Sequence, residues 1–208
     1  MTQLYIEDCL ETLKRDIEYD YVVTSPPDFN ELTGDSKTNF SYTDFLESFI
    51  KELNPKGNFA SICISDRKSG GKVISKHSMV VDVFENLGWS LHTHKIWVKS
   101  TGVDMFRLNY QHLLTFNRKK QTRALPTDFK PDVFVVNQTK WNNYSYGMPV
   151  RIIELLVSAY TDKADTVYDP FMGSGTTAEA CVNTKRNWKG SEINPEYAQM
   201  TIDRTESL

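Results

Sequence analysis

Short apolar runs alternate with amphipathic stretches along this chain, a pattern that predicts an α/β protein. Residues 3–6 read as a short strand, and Leu10, Leu13 and Ile17 then recur at helical spacing. Residues 19–23 are a continuous aromatic and β-branched run, as expected of a strand buried on both faces. It stops at Thr24-Ser25-Pro26-Pro27, where two prolines can continue neither ladder nor helix. A polar, loop-like stretch follows to residue 43. Phe45, Phe49, Ile50 and Leu53 then mark a helix, closed by Asn54-Pro55-Lys56-Gly57. Residues 59–64 read as a strand, 65–78 as a basic glycine-containing loop and 79–86 as a helix ended by Gly88. Strands are expected over 89–98 and 113–116, and residues 132–136 are a short apolar run. A helix opens at Pro149 and runs to about Tyr160. A strand over 166–168, a helix to Asn183, a strand over 188–193 and a helix from Pro195 complete the pattern. Strand and helix alternate at both ends, so the expected fold is an α/β, doubly wound, mostly parallel sheet in one domain.

Composition narrows the class. The 208 residues are 39% hydrophobic and 25% charged, enough apolar content for a substantial core. Nothing approaches the roughly 20 apolar residues of a membrane span, and the first residues are too polar for a signal peptide. Cys9, Cys63 and Cys181 are far apart, and no CxxC or Cys/His cluster occurs, so neither zinc nor disulfides are expected. A reducing cytoplasm suits that cysteine usage. The net charge of −3 does not announce nucleic acid, so any such binding must rest on local positive charge.

Two segments carry candidate chemistry. Asp169-Pro170-Phe171-Met172-Gly173-Ser174-Gly175-Thr176-Thr177 joins a strand to a helix, where open α/β sheets bind ligands. Its glycines let backbone N–H groups approach a ligand, and the helix N-terminus favours an anionic group. It is neither a P-loop nor a full dinucleotide fingerprint. Glu192, at the end of the next strand, can hold two ribose hydroxyls, and Ile193 follows it. The second segment is Thr24-Ser25-Pro26-Pro27-Asp28-Phe29. Its proline-fixed carbonyls and the Ser25 hydroxyl are acceptors able to hold an amino group, although a proline stop after a buried strand is the plainer reading.

Together these segments resemble the β-class of S-adenosylmethionine-dependent DNA amino-methyltransferases, which modify cytosine N4 or adenine N6. Thr24-Ser25-Pro26-Pro27 is similar to their SPPY or DPPY catalytic motif. Residues 169–177 are similar to their cofactor motif DPFxGSGTT, and 190–197 to their ribose-binding segment. The order, catalytic motif first and cofactor motif last, is also that of the class.

The resemblance implies a circularly permuted, seven-stranded sheet, with S-adenosylmethionine as cofactor and DNA as partner. It places Asp8 at the cofactor's adenine amine with Cys9 beside it, although Asp8 also suits a helix N-cap. Ser25 and the Pro26 carbonyl would polarise the target amino group for direct attack on the sulfonium methyl. The base would be flipped or single-stranded. The motif departs from the family at Asp28, where an aromatic is usual. Phe29 could stack on the base from one place later, or Asp28 could accept a hydrogen bond or proton. Serine at the motif's first place favours cytosine N4, with adenine N6 the alternative. An RNA amino-methyltransferase and an inactive DNA-binding module remain open as further alternatives.

Phosphate contacts are expected from two basic clusters, Arg67, Lys68, Lys72 and Lys76, then Arg118, Lys119, Lys120 and Arg123. Residues 99–146 are the only room for target recognition, with Trp141, Tyr144 and Tyr146 as candidate stackers. A homodimer and a cognate restriction endonuclease are the other candidate partners.

Overall fold

The computed structural model describes residues 2–28, 31, 41–99, 108–137 and 148–208. Its centre is one eight-stranded sheet. In chain order the strands and helices of this layer are β1 (Gln3–Tyr5), α1 (Cys9–Leu13), β2 (Tyr21–Thr24), α2 (Tyr42–Ile50) and β3 (Phe59–Ile64). The small strands β4 (Arg67–Ser69) and β5 (Lys72–Ile74) lead into α3 (Lys76–Asn86), β6 (Ser90–Val98), β7 (Tyr110–Asn117) and β8 (Val133–Val135). Last come α4 (Val150–Tyr160), β9 (Thr166–Asp169), α5 (Thr176–Thr184), β10 (Asn187–Ser191) and α6 (Pro195–Glu206). The sheet order is β1-β10-β9-β2-β3-β7-β6-β8.

The first five strands in that order are parallel, β7 pairs antiparallel with both β3 and β6, and β8 runs parallel to β6. β1 and β10, the first and last strands, are neighbours, with Gln3 opposite Lys189, which is the permuted arrangement. Helices cover both faces, and strand alternation divides the core between them. Tyr21, Val23, Phe59 and Val167 face the layer of α4 and α5. Val22, Ala60, Ile62 and Tyr168 face α2 and α3, where Leu46, Phe49, Ile50, Val80 and Phe84 are buried. The continuous apolar runs of β2 and β3 follow from this, since every residue of both is buried.

β2 and β9 lie side by side at the middle of the sheet. From β9 the chain crosses through α5 to β10 on one side, and from β2 through α2 to β3 on the other. Their loops therefore diverge and leave a crevice at the strands' C-terminal ends, the switch point where ligands of such sheets bind.

Several elements differ from the sequence reading. The sheet has eight strands rather than seven, because residues 133–135 pair with 96–98 and form an edge strand. Residues 65–78 are not a plain loop: β4 and β5 form a hairpin. Gly70 and Gly71, both at positive φ (56° and 73°), make its two-residue turn. α3 accordingly begins at Lys76, not Met79. α1 stops at Leu13, and a turn from Leu10 through Thr12 to Arg15 brings Ile17 back to the same core. α2 starts at Tyr42 under a capping box in which Ser41 and Asp44 bond reciprocally. Among the described residues, no helix is long and apolar enough to cross a membrane.

Candidate active site

A cleft of about 1130 Å³ opens at the switch point. One wall is the end of β2 with the turn Ser25-Pro26-Pro27. The other is the loop from Asp169 to Thr177 together with Glu192 and Ile193. Asp8 and Cys9 close the side nearest β1. Segments 145 residues apart in sequence thus share a single cavity.

Asp169 joins them. Its Oδ1 accepts from Thr24 Oγ1 at 2.6 Å and from the Phe171 amide at 3.0 Å, and its Oδ2 accepts from Thr177 Oγ1 at 2.6 Å. Thr24 is the last residue of β2 and Thr177 lies in the first turn of α5, so one carboxylate sets the spacing of both loops. Burial lifts its carboxyl from an ordinary 3.8 to about 6, with Glu192 adding to the rise and the three donors opposing it. The fold therefore holds this proton to a higher pH than the unfolded chain does. The contribution to stability is complete below about pH 4 and is lost as pH rises through about 6. We expect the unfolding free energy of the wild type to fall by about 2 kcal/mol relative to Asp169→Asn between pH 4 and pH 7. Urea titrations of both proteins across that range measure it, and parallel profiles would rule it out.

Glu192 is held open toward the cleft by two backbone donors, the Gly173 amide on Oε2 and the Asn194 amide on Oε1, each at 2.8 Å. Gly173 has φ +57°, which aims its N–H at that carboxylate. The loop's carbonyls are braced from behind by α6. Thr201 Oγ1 donates to the Gly173 carbonyl at 2.9 Å, and Arg204 donates to the Ser174 carbonyl while pairing with Glu179. Phe171 sits edge-on against Phe49 at 5.0 Å and anchors the loop in the α2 core. Ile193 stands 62% exposed at the cleft mouth, an apolar surface with no core to cover it. Asp8 caps α1 by accepting from the Leu10 amide at 2.8 Å, so its helix role is realised. Cys9 is buried, and burial pushes its thiol up, so it stays neutral.

Gly175 is the exception among the expected cofactor residues. It does not line the cleft. Its φ is +83°, and a Cβ there would stand 2.9 Å from Thr201 Cα, so the glycine lets α5 and α6 pack closely.

On the β2 side of the cleft, Ser25 is exposed and Pro26 is buried beneath it. Tyr42 Oη donates to the Pro27 carbonyl at 3.2 Å, which fixes the turn. The Asp28 carboxylate faces two cations, Lys76 Nζ at 3.3 Å and Arg67 Nη1 at 3.8 Å, and its amide donates to Glu31. Phe29 lies outside the described residues, as do Trp141, Tyr144 and Tyr146.

The first basic cluster therefore splits. Arg67, Lys68 and Lys72 ride the β4–β5 hairpin at the Ser25 end of the sheet, whereas Lys76 is 8% exposed, packed between Asp28 and the Tyr42 ring rather than offered to phosphate. The second cluster lies at the opposite end of the sheet, because β7 runs antiparallel and finishes beside the start of β3. There Arg118 bonds to the Leu53 carbonyl and stacks over Trp89, and Arg123 bonds to the Ala159 carbonyl and Asp162. Lys119 and Lys120 are exposed at that same far end. None of these four is brought to Ser25. The sequence order of strands carries no sign of this, since it depends on strand direction.

Glu31, Tyr42 and Lys76 are contributors that the sequence reading missed or misplaced. Lys76→Met should cost about 1–2 kcal/mol of stability, below the about 3–5 of a fully buried pair because Asp28 is one-third exposed. Lys76→Met with Asp28→Asn should recover most of that loss in denaturant titrations. A double variant no more stable than the single one would remove the clamp from consideration.

The DNA methylase family model, that of the N6/N4 amino-methyltransferases, matches residues 19–203. This chain belongs to that family. Among curated relatives, the type II methyltransferase M.BglII of Bacillus subtilis is 25% identical over 89% of the chain and 63% of its own length. The chain spans between about two-fifths and two-thirds of the relatives matched first. Among solved structures, the cytosine-N4-specific PvuII DNA methyltransferase superposes with a TM-score of 0.83 at 18% identity, over 98% of this chain and 87% of that one. M1.HpyAVI in complex with S-adenosylmethionine gives 0.76 at 24%, over 99% and 100%. Both establish the methylase fold.

Proposed function

We propose that this protein transfers a methyl group from S-adenosylmethionine to an exocyclic amino group in DNA, with cytosine N4 as the target atom. The observation that carries it is the Asp169 bridge, which sets Ser25-Pro26-Pro27 and the Gly173–Glu192 pocket in one cleft. At about 1130 Å³ the cleft is larger than the 300–1000 Å³ typical of a single small ligand, leaving room for a cofactor and a flipped base together. Solved relatives include one bound to this cofactor, which agrees with the reading.

Glu192, already oriented by two amides, would take the ribose hydroxyls, and Ile193 offers its exposed side chain to the adenine. Asp8 and Cys9, which line the cleft on its β1 side, would meet the adenine edge. The loop 170–177 would hold the methionine part. The bound cofactor supplies an electrophilic methyl on a sulfonium. The amino nitrogen of the base is a weak nucleophile because its lone pair is delocalised into the ring. Ser25 Oγ and the Pro26 carbonyl, accepting its hydrogens, would localise that lone pair on nitrogen. Methyl transfer would leave the S–C electron pair on sulfur, and Ser25 Oγ and the Pro26 carbonyl would hold the nitrogen while its surplus proton passes to water. The nitrogen becomes acidic only after attack, so positioning and electrostatics do the work and no strong base is needed. Asp28, clamped by Lys76 and Arg67, serves to hold the turn. Arg67, Lys68 and Lys72, on the hairpin beside it, would meet the phosphates.

Serine at the motif's head favours cytosine N4. Adenine N6 is the second reading, since Ser25 and Pro26 would accept from either amino group. The test is methyl transfer to mixed-sequence duplex and single-stranded DNA, followed by nucleoside mass analysis. N4-methylcytosine is the expected product. N6-methyladenine would keep the mechanism and overturn the base, and cofactor binding without any methylated base would overturn the activity.

A further inference from the structure

Outside the cleft, a second group of side chains converges at the C-terminal end of β3. Three of the chain's four histidines, His77, His94 and His112, meet there beside Asp66. They come from separate elements: Asp66 follows β3, His77 is in the first turn of α3, His112 is on β7 and His94 on β6. Asp66 is buried and presents both carboxylate oxygens to His77 Nδ1 at 2.8 Å. The His112 ring stacks on His77 with centroids 4.1 Å apart, and its Nδ1 is 2.8 Å from His94 Nε2. The other nitrogen of His112, Nε2, is buried and has no hydrogen-bond partner among the described residues. It stands 3.4 Å from Asp66 Oδ2.

A buried imidazole nitrogen that makes no hydrogen bond is rare, because it has lost its water and here gains only the 3.4 Å approach to Asp66. This one belongs to a residue only 6% exposed and points into a carboxylate and a second imidazole nitrogen. We propose that Asp66, His77 and His112 bind a divalent transition-metal ion of the Zn²⁺ or Co²⁺ type, with His94 as the outer partner that sets the His112 tautomer. If His112 Nδ1–H donates to His94, the lone pair is left on Nε2, facing the ion. Two imidazoles and one carboxylate suit borderline metals, whereas Ca²⁺ and Mg²⁺ take oxygen ligands.

The spacing is close to what an ion needs. Tetrahedral bonds of about 2.0–2.1 Å place ligand atoms about 3.3 Å apart. The His112–Asp66 distance of 3.4 Å already matches. The His77–Asp66 contact of 2.8 Å is a hydrogen bond and would widen as the metal replaces the shared proton. The stacked rings must also splay, and His77, with a side chain 26% exposed on the first helical turn, has room to rotate. Such an ion would clip α3 to β3 and β7. Lys76, which precedes His77, would then be held against Asp28. Chain spacing hides the set, because its members lie 11 and 35 residues apart on different elements.

The site can be tested on the tag-free full chain without reference to methyl transfer. Co²⁺ titration followed by visible absorption, with Zn²⁺ competition and calorimetry, should show one ion per chain and the intense bands of a tetrahedral site. Zn²⁺ should also raise the melting temperature. His112→Ala and His77→Ala should weaken Zn²⁺ binding at least about 100-fold and His94→Ala about 10–100-fold, while the fourth histidine, in His92→Ala, should leave it within about twofold. Should the alanine variants fail to fold, X-ray absorption at the zinc edge of the wild type should read two imidazole ligands and a light-atom shell. Absence of stoichiometric uptake would overturn the site and leave a metal-free His77–Asp66 hydrogen bond. Uptake that survives His112→Ala would overturn it equally.

Discussion

Ser25→Ala is expected to lower the rate of methyl transfer about 10²–10³-fold, the loss typical of removing one preorganised hydrogen-bonding group from an active site. Ser25 is exposed at the cleft wall and stands at the end of a strand whose last residue, Thr24, is pinned to Asp169. Its hydroxyl is therefore offered to the cleft on a rigid base. Pro26 and Pro27 keep the turn in place, and the Pro27 carbonyl is already engaged by Tyr42. Loss of the hydroxyl leaves the Pro26 carbonyl as the one acceptor from this turn, so the nitrogen lone pair stays more delocalised. Because the residue is not in the core, folding should be unaffected. Because Glu192 and the loop 170–177 are untouched, cofactor affinity should hold within about twofold. Single-turnover methyl transfer together with calorimetric cofactor binding separates these effects. A loss of threefold or less would mean that Ser25 does not touch the reacting amino group.

The second large effect is on stability. Gly175→Ala should destabilise the protein by about 3 kcal/mol, from about 1–2 for a left-handed non-glycine residue and about 1–3 for forced overlap. The position has φ +83°, and the added methyl would lie 2.9 Å from Thr201 Cα. That neighbour is backbone, so a rotamer change cannot relieve it, and α6 must move away from α5. At this size about 3 kcal/mol corresponds to roughly 6–12 °C in melting temperature. Thr201→Ala in the same protein should recover little, because the nearest atom is Cα rather than the side chain. Recovery of most of the loss would show that the side chain, not the helix approach, sets the constraint.

Much of the fold was legible in local pattern. The buried runs of β2 and β3 and the proline stop after Thr24 follow from side-chain type and backbone chemistry alone. So do the helix of Phe45 and Phe49 and the glycine loop after β9. The β4–β5 hairpin was missed although Gly70-Gly71 is its signal, because the charges around it read as loop. The eighth strand escaped because three residues at a sheet edge gain their identity only from pairing with β6.

By itself, then, the chain's residue order determined most of the elements and the two loops that carry the candidate chemistry. Tertiary structure alone decided how these meet. Placing β2 beside β9 at the switch point turned two distant loops into one site, with Asp169 bridging them. The antiparallel course of β7 sent Arg118 and Arg123 to the far end of the sheet while the hairpin kept Arg67, Lys68 and Lys72 near Ser25. Gly175, read as a cofactor contact, packs against Thr201, a neighbour that only the tertiary structure reveals. Local pattern reports the backbone preference of neighbours in sequence. Direction, register and burial are set by partners far along the chain, and they determine which charges face the cleft and which brace the fold.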